Sequence, residues 1–136
     1  MDLYAENILD HYRSPRGQKP LKNPTLEHRE ENASCGDELT IQLQIAAGHI
    51  KEISWSGTGC AISQAAMSML SEELSGMDIH AAENLEPKNV HDLLGVPVGP
   101  RRTKCALLCL HTLKNAIRLH AKQKPQSWTE TVGVEN

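Results

Sequence analysis

The sequence predicts an α+β domain: a small antiparallel three-stranded sheet with helices packed on one face. Three observations carry this. Leu39, Ile41, Leu43 and Ile45 alternate with Thr40, Gln42 and Gln44, the period-two signature of a half-buried strand. Two later segments, 62–74 and 105–117, place apolar residues three and four positions apart, as helices with one buried face do. The strand signals precede the helix signals, an order that gathers helices on one side of an antiparallel sheet.

Taken in order, residues 2–13 carry Leu3, Tyr4, Ile8 and Tyr12 near helical spacing, and the pattern stops at Ser14-Pro15, where proline pushes its predecessor out of the α region. "PRGQKPLKNP", residues 15–24, reads as a loop. Residues 25–31 are polar and fit an edge strand. Ala46-Ala47-Gly48-His49 turns the chain, and residues 50–56 return with Ile53 and Trp55 on one face, which completes a hairpin. "SGTGC" breaks the strand. Ile62, Ala66, Met69, Leu70 and Leu74 then mark a helix ending at Gly76, with short helical pieces expected over 78–84 and 88–94. "GVPVGPRRT" reads as a loop. From Lys104 the stripe Cys105, Leu108, Cys109, Leu113, Ala116 and Ile117 describes the last long helix. One domain over 1–124 and a flexible tail over 125–136 are expected.

Composition excludes several function classes. A formal charge of -3 without a clustered Lys/Arg face opposes a phosphate-tracking surface, and 3% aromatic residues supply no stacking platform, so nucleic acid is not the expected ligand. The opening residues are acidic and amphipathic and no window reaches membrane-spanning length, so a cytoplasmic chain with no membrane partner is expected. Without an export signal, the four cysteines read as metal-binding or reactive thiols rather than a disulfide framework.

Three of them fall at junctions. Cys35 precedes the hairpin, Cys60 stands at the glycine-flanked start of the middle helix, and Cys105 at the start of the last. Helix starts present unpaired N–H groups and a positive dipole end, which favour thiolate over thiol. Gly36, Gly57 and Gly59 allow tight bends beside two of these thiols, and Asp37 adds a hard oxygen two residues from Cys35. Three thiolates and a carboxylate from separate elements can thus meet in a four-coordinate pocket. Each cysteine taken singly also reads as a small buried hydrophobe. No C-x-x-C pair is present, which removes the main support for zinc-ribbon or thioredoxin chemistry. Cys109 sits mid-stripe where a core residue belongs, yet one turn after Cys105, where it can be a spare ligand or a resting place for sulfur.

"NASCGD", "SGTGCAISQAAMSML" and "PRRTKCALL" resemble, in order, the three cysteine motifs of the IscU/SufU/NifU N-terminal family of iron-sulfur cluster assembly scaffolds. "LYAENILDHYRSPRG" resembles that family's opening segment, and the likeness covers residues 3–120. The resemblance implies a SufE/NifU-like fold and makes Cys35, Cys60 and Cys105 the ligands or sulfur acceptors, with Asp37 the carboxylate that helps hold or release the metal. It implies zinc or iron at the site, persulfide sulfur from a cysteine desulfurase, and either a transient [2Fe-2S] cluster passed to apo iron-sulfur proteins or a SufU-type sulfur relay. The partner would supply the catalysis, and this chain, a monomer or weak dimer, would not be an enzyme.

Two departures place the chain between subtypes. Lys104 replaces the histidine that IscU-type proteins carry before the third cysteine, in the SufU manner, although the longer SufU insertion between Cys60 and Cys105 is missing. A protonated lysine cannot ligate metal, so Asp37 becomes the expected fourth ligand. Lys104 then stabilises thiolate or persulfide charge, pairs with Asp37 when metal leaves, or is simply solvated. The chaperone-recognition motif of IscU is replaced by "VGPRR", so delivery to an Hsp70-type chaperone is not implied.

The seven histidines show no metal-pairing spacing and read as surface or packing residues. Arg101 and Arg102 either meet an acidic partner or are solvated; Tyr4, Ile8 and Tyr12 either dock the desulfurase or pack in the core. Two readings from other classes stand beside the scaffold. One is a binding module whose zinc only holds the fold. The other is a cysteine hydrolase, for which no histidine is placed near Cys35 or Cys60.

Overall fold

Ala47 and Gly48, with φ of 53° and 76°, form the tight turn that joins strand β2 (Asp37–Ala46) to β3 (His49–Thr58). Positive φ at both central positions matches the turn to the twist of the strands it connects. The structure, a computed structural model, describes residues 3–34 and 36–133, with the side chains of Leu3 and Tyr4 outside the described set. Along the hairpin Leu43 faces Ile53 and Ile45 faces Ile50, with a register shift between Gln44 and Ile45. Ile50 and Ile53 are three residues apart and would point to opposite faces of a regular strand. The bulge corrects the parity, and both turn to the core side, where Ile50 is fully buried.

Strand β1 (Leu26–Asn32) pairs antiparallel with β2, from Leu26 opposite Leu43 to Asn32 opposite Asp37, which gives the sheet order β1-β2-β3. The expected edge strand is therefore present. Its polarity has a cause: His28, Glu30 and Asn32 all face inward against a polar strip of the last long helix. The α+β architecture is as expected. Helices α2 (Ala61–Leu74) and α5 (Thr103–His120) pack on the inner face, α2 against β3 and α5 against β1 and β2, and touch each other. Leu39, Ile41 and Leu43 from β2 meet Leu70, Leu107 and Leu110 there, all buried. Small residues Ser63, Ala65, Ala66 and Ser68 let neighbours approach α2 closely, and α2 is buried over most of its circumference.

Helix α1 (Leu3–Arg13) lies on α2. Its expected apolar stripe is only partly realised: Ile8 is buried, Tyr12 is 44% exposed, and Leu3 and Tyr4 have side chains outside the described set. The inner face instead continues to His11, three residues from Ile8, whose Nδ1 lies 2.7 Å from Ser68 Oγ. The 15–24 loop then runs beside β3, where the Trp55 N–H donates to the Gly17 carbonyl (2.9 Å) and Trp55 Nε1 to the Arg16 carbonyl (2.6 Å). Helices α3 (Ile79–Glu83) and α4 (Pro87–Leu94) fill the two short helical stretches. A 3₁₀ turn, Pro100–Arg102, occupies part of the expected loop before α5.

Residues 126–133 differ from the flexible tail expected over 125–136. Trp128–Val132 form a short helix, α6, with a reciprocal Ser127 and Glu130 capping box and a left-handed Gly133 at its end. It packs on α5: Asn115 exchanges two hydrogen bonds with the backbone of Gln126 (2.8 and 3.2 Å), and buried Thr131 Oγ1 lies 2.6 Å from His111 Nδ1. Five residues are too few to show a helical period, but the Ser-x-x-Glu capping signal was present. No helix among the described residues is long and apolar enough to cross a membrane.

Burial lowers the His11 pKa below its usual 6.5, with Arg16 acting in the same direction against the opposing pull of Glu72. The fold holds the imidazole neutral, so as pH falls below about 6.5 the unfolded chain takes up the proton first and the native state loses stability. Urea unfolding from neutral pH to about pH 5 is expected to show a falling midpoint. His11→Asn, which cannot take the proton, should flatten that slope; an unaltered slope would count against this assignment.

Candidate metal centre

The last pair of the β2/β3 hairpin, Glu38 opposite Thr58, leaves Asp37 at the sheet's end and sends the chain through Gly59 into α2. Cys60 is the N-cap of α2, and no side chain of its own caps the helix. The Asp37 carboxylate does related work from across the turn: its Oδ1 accepts the Cys60 backbone N–H (3.1 Å), and the Cys60 thiol donates to Oδ2 (3.6 Å). A buried carboxylate thus rests against the positive end of a helix, a favourable placement for its charge. Ser63 Oγ donates back to the Cys60 carbonyl (3.1 Å) and closes the first turn.

Gly59 is required here. Its φ is 152°, and a Cβ would overlap Asp37 Oδ1 and stand 2.7 Å from Asp37 Cγ and 2.8 Å from Ser63 Oγ. The close approach that lets Asp37 reach Cys60 is available only to glycine.

Cys105, in the first turn of α5, brings the third donor. Ligand atoms of Asp37, Cys60 and Cys105 all lie within 4.8 Å of one another. Asp37 and Cys105 are 2% and 5% exposed, while Cys60 is partly open to solvent. Reagents would thus meet Cys60 first. Asn32, buried at the end of β1, directs Nδ2 at Cys105 Sγ at 4.0 Å, a polar neighbour that sequence reasoning did not single out, although it opens the "NASCGD" motif. Two soft sulfurs and a hard oxygen from three separate elements form a donor set suited to zinc or ferrous iron. Cys35, the fourth expected donor, lies outside the described residues.

Other expectations fall differently. Cys109 is fully buried, burial pushes its thiol up to about 12, and its S–H points to the Ala106 carbonyl at 3.5 Å. It is the core residue of its two readings, since a thiol held protonated inside the core is neither a spare ligand nor a sulfur acceptor. Lys104 is exposed, and its Nζ sits 5.9 Å from the centroid of the Trp128 ring. Among the described residues it pairs with no carboxylate, so pairing with Asp37 is not the arrangement found. Arg101 and Arg102 are exposed on the 3₁₀ turn. Among the described residues no histidine joins the cluster, so the hydrolase reading finds no thiol and imidazole pair. His28 and His111 instead gather around Glu30, whose Oε2 lies 2.6 Å from His28 Nε2 and whose Oε1 lies 3.5 Å from His111 Nε2.

A small antiparallel sheet backed by helices, with two thiols and a carboxylate converging where β2, α2 and α5 begin, defines a domain with a candidate metal centre at the end of its sheet. The chain belongs to the NifU-like N terminal domain family, which matches residues 3–126. It is 32% identical over 132 residues to the iron-sulfur cluster assembly scaffold protein IscU of Thermotoga maritima, covering 85% of this chain and 93% of that protein. It is 27% identical over 132 residues to the zinc-dependent sulfurtransferase SufU of Bacillus subtilis, covering 85% and 89%. The crystal structure of a putative iron-sulfur cluster assembly scaffold protein for the SUF system from Fervidobacterium islandicum superposes with a TM-score of 0.73 at 26% identity, over 82% of this chain and 94% of that one.

Two measurements check this geometry. Brief iodoacetamide treatment of the metal-free protein at mildly alkaline pH, read by peptide mass spectrometry, is expected to label Cys60 and to spare Cys109 until denaturant is added. Gly59→Ala should cost about 1–3 kcal/mol in backbone strain and displaced contacts, measured by chemical unfolding. Wild-type stability in that variant would contradict the close approach described.

Proposed function

We propose that this chain is an iron-sulfur cluster assembly scaffold that accepts persulfide sulfur from a cysteine desulfurase and binds iron or zinc through Cys35, Asp37, Cys60 and Cys105. The observation that carries the reading is the convergence of Asp37, Cys60 and Cys105 donors within 4.8 Å from three different elements. Membership of the NifU-like family and likeness to a scaffold named IscU support it.

The chemistry asked of the chain is modest. An acceptor thiolate, from Cys35, Cys60 or Cys105, attacks the outer sulfur of the donor's persulfide. That S–S bond breaks, the donor cysteine leaves as thiolate, and the acceptor becomes a persulfide, with no net oxidant required. Asp37 holds Cys60 in place at the start of α2 through its backbone N–H and its thiol. A bound zinc or iron would hold the thiols deprotonated and gathered. The carboxylate is the harder and more exchangeable donor among sulfurs, and it suits a site that must release its cargo, a [2Fe-2S] cluster destined for apo iron-sulfur proteins. The chain itself turns over no substrate in this scheme; the desulfurase does.

A second reading, a zinc-dependent sulfur relay that activates the desulfurase without holding a cluster, is favoured by Lys104 in the "PRRTKC" motif and by the likeness to a protein named SufU. A purely structural zinc is opposed by the core, since the buried apolar cluster spans sheet and helices without Asp37, Cys60 or Cys105. Chelation should therefore leave the domain folded.

Anaerobic reconstitution with ferrous iron, cysteine and a cysteine desulfurase, followed by absorption spectra and metal analysis, separates these readings. A scaffold is expected to develop a visible cluster that Asp37→Ala retains longer, and Cys60→Ser and Cys105→Ser should abolish it. Stoichiometric zinc, no cluster and faster desulfurase turnover would assign the relay. Cysteine variants that match wild type in loading and in desulfurase stimulation would overturn both.

A further inference from the structure

Trp128 is held with unusual thoroughness for a residue in a five-residue helix. One face stacks on the His111 ring, centroids 4.0 Å apart and planes 18° from parallel. The ammonium of Lys104 lies over the ring at 5.9 Å, within the reach of a cation–π contact. Around the stack, Asn115 grips the backbone of Gln126, Gln126 Nε2 donates to Thr131 Oγ1 (2.7 Å), and Thr131 Oγ1 meets His111. Asn115 Nδ2 also donates to Glu30 Oε2 (3.0 Å), so the assembly is fastened to β1. Asn32, which points at the Cys105 sulfur, lies two residues further along that strand.

Lys104 directly precedes Cys105, whose sulfur is within 4.8 Å of an Asp37 carboxylate oxygen. A lysine on a flexible four-carbon stem, one residue before a donor, can swing from the indole face toward the donor cluster. On the donors it would compete with a metal cation for the same negative charge. The structure shows it on the indole.

We propose that Trp128 is a positioning residue that parks the Lys104 ammonium on its ring and so keeps it from competing with a divalent cation for Asp37, Cys60 and Cys105. This rests on the metal-binding reading above. The ring contacts of Trp128 among the described residues are with His111 and Lys104, and it acts on the site through Lys104. Helix α6 thereby has a role at a site to which it contributes no ligand.

The test is a double-mutant cycle on the full chain, with zinc affinity measured by competition against a chromophoric chelator. Trp128→Leu is expected to weaken zinc binding roughly two- to fivefold, the size of an exposed cation–π contact. Lys104→Met combined with Trp128→Leu should bind as Lys104→Met alone does, because no cation is left to compete. Trp128→Phe, which keeps an aromatic face, should recover much of the loss. In the metal-free protein, the Lys104 side-chain methylene resonances should be ring-current shifted upfield by NMR and should move to ordinary positions in Trp128→Leu.

Equal weakening with and without Lys104 would reduce Trp128 to a packing residue and overturn the inference, as would unaltered affinity in Trp128→Leu or unshifted Lys104 resonances in the wild type. Those results would leave the metal site standing. Failure of that site has a different signature: zinc affinity in the wild type that Cys60→Ser and Cys105→Ser do not change, which would overturn the metal reading and this inference with it.

Discussion

The contact between the Asp37 carboxylate and Cys60, the N-cap of α2, is the constraint on which the rest of the arrangement depends. It joins the end of the sheet to the start of the central helix through the Cys60 N–H at 3.1 Å. The Asp37 side chain is 2% exposed, and a carboxyl group so buried is tolerated only where hydrogen-bond donors meet it. The helix start provides such donors, and Gly59 provides the space. Because the same contact presents the Cys60 sulfur, removing Asp37 changes both a candidate ligand and the geometry of its neighbour. The two effects are separable only by comparing metal affinity with fold stability.

From that corner a polar seam runs between β1 and α5. Asn32 meets Cys105, Glu30 meets His28, His111 and Asn115, and Asn115 with Thr131 secures α6. Buried polar groups are tolerable when each finds partners, and among the described residues no buried side-chain nitrogen or oxygen lacks one. Burial lowers the pKa of His111 and Glu30 opposes that shift, so its protonation state is tied to a partner on the neighbouring strand. The seam also accounts for an edge strand whose sequence looks too polar to be buried on either face.

Most of the architecture was legible because two periodicities dominate the chain. The alternation from Leu39 to Ile45 and the helical stripes after Cys60 and Lys104 led to β2, α2 and α5. The parts read incompletely share a physical reason: their stabilising contacts are polar and distant in sequence. His11 replaces Tyr12 on the inner face of α1 because Ser68, 57 residues away, receives it. Helix α6 stays docked through partners on α5 that no local pattern shows. At the site, spacing and glycines pointed to Cys60, Cys105 and Asp37, and the structure brings these three together. What spacing could not supply was depth. The contrast between partly open Cys60 and sealed Cys109, and the rest position of Lys104 on an indole, follow from packing alone.

A three-stranded sheet has two free edges, and each invites pairing with another chain. Here the backbone of Arg16 and Gly17 lies along β3 and takes up the Trp55 donors, while β1 turns Glu27, Arg29 and Glu31 outward, with Arg29 engaging Glu31 and Glu38. The loop after α1 is therefore a guard against edge-to-edge aggregation. Protection of this kind keeps other chains from pairing with a sheet at whose end Asp37, Cys60 and Cys105 gather.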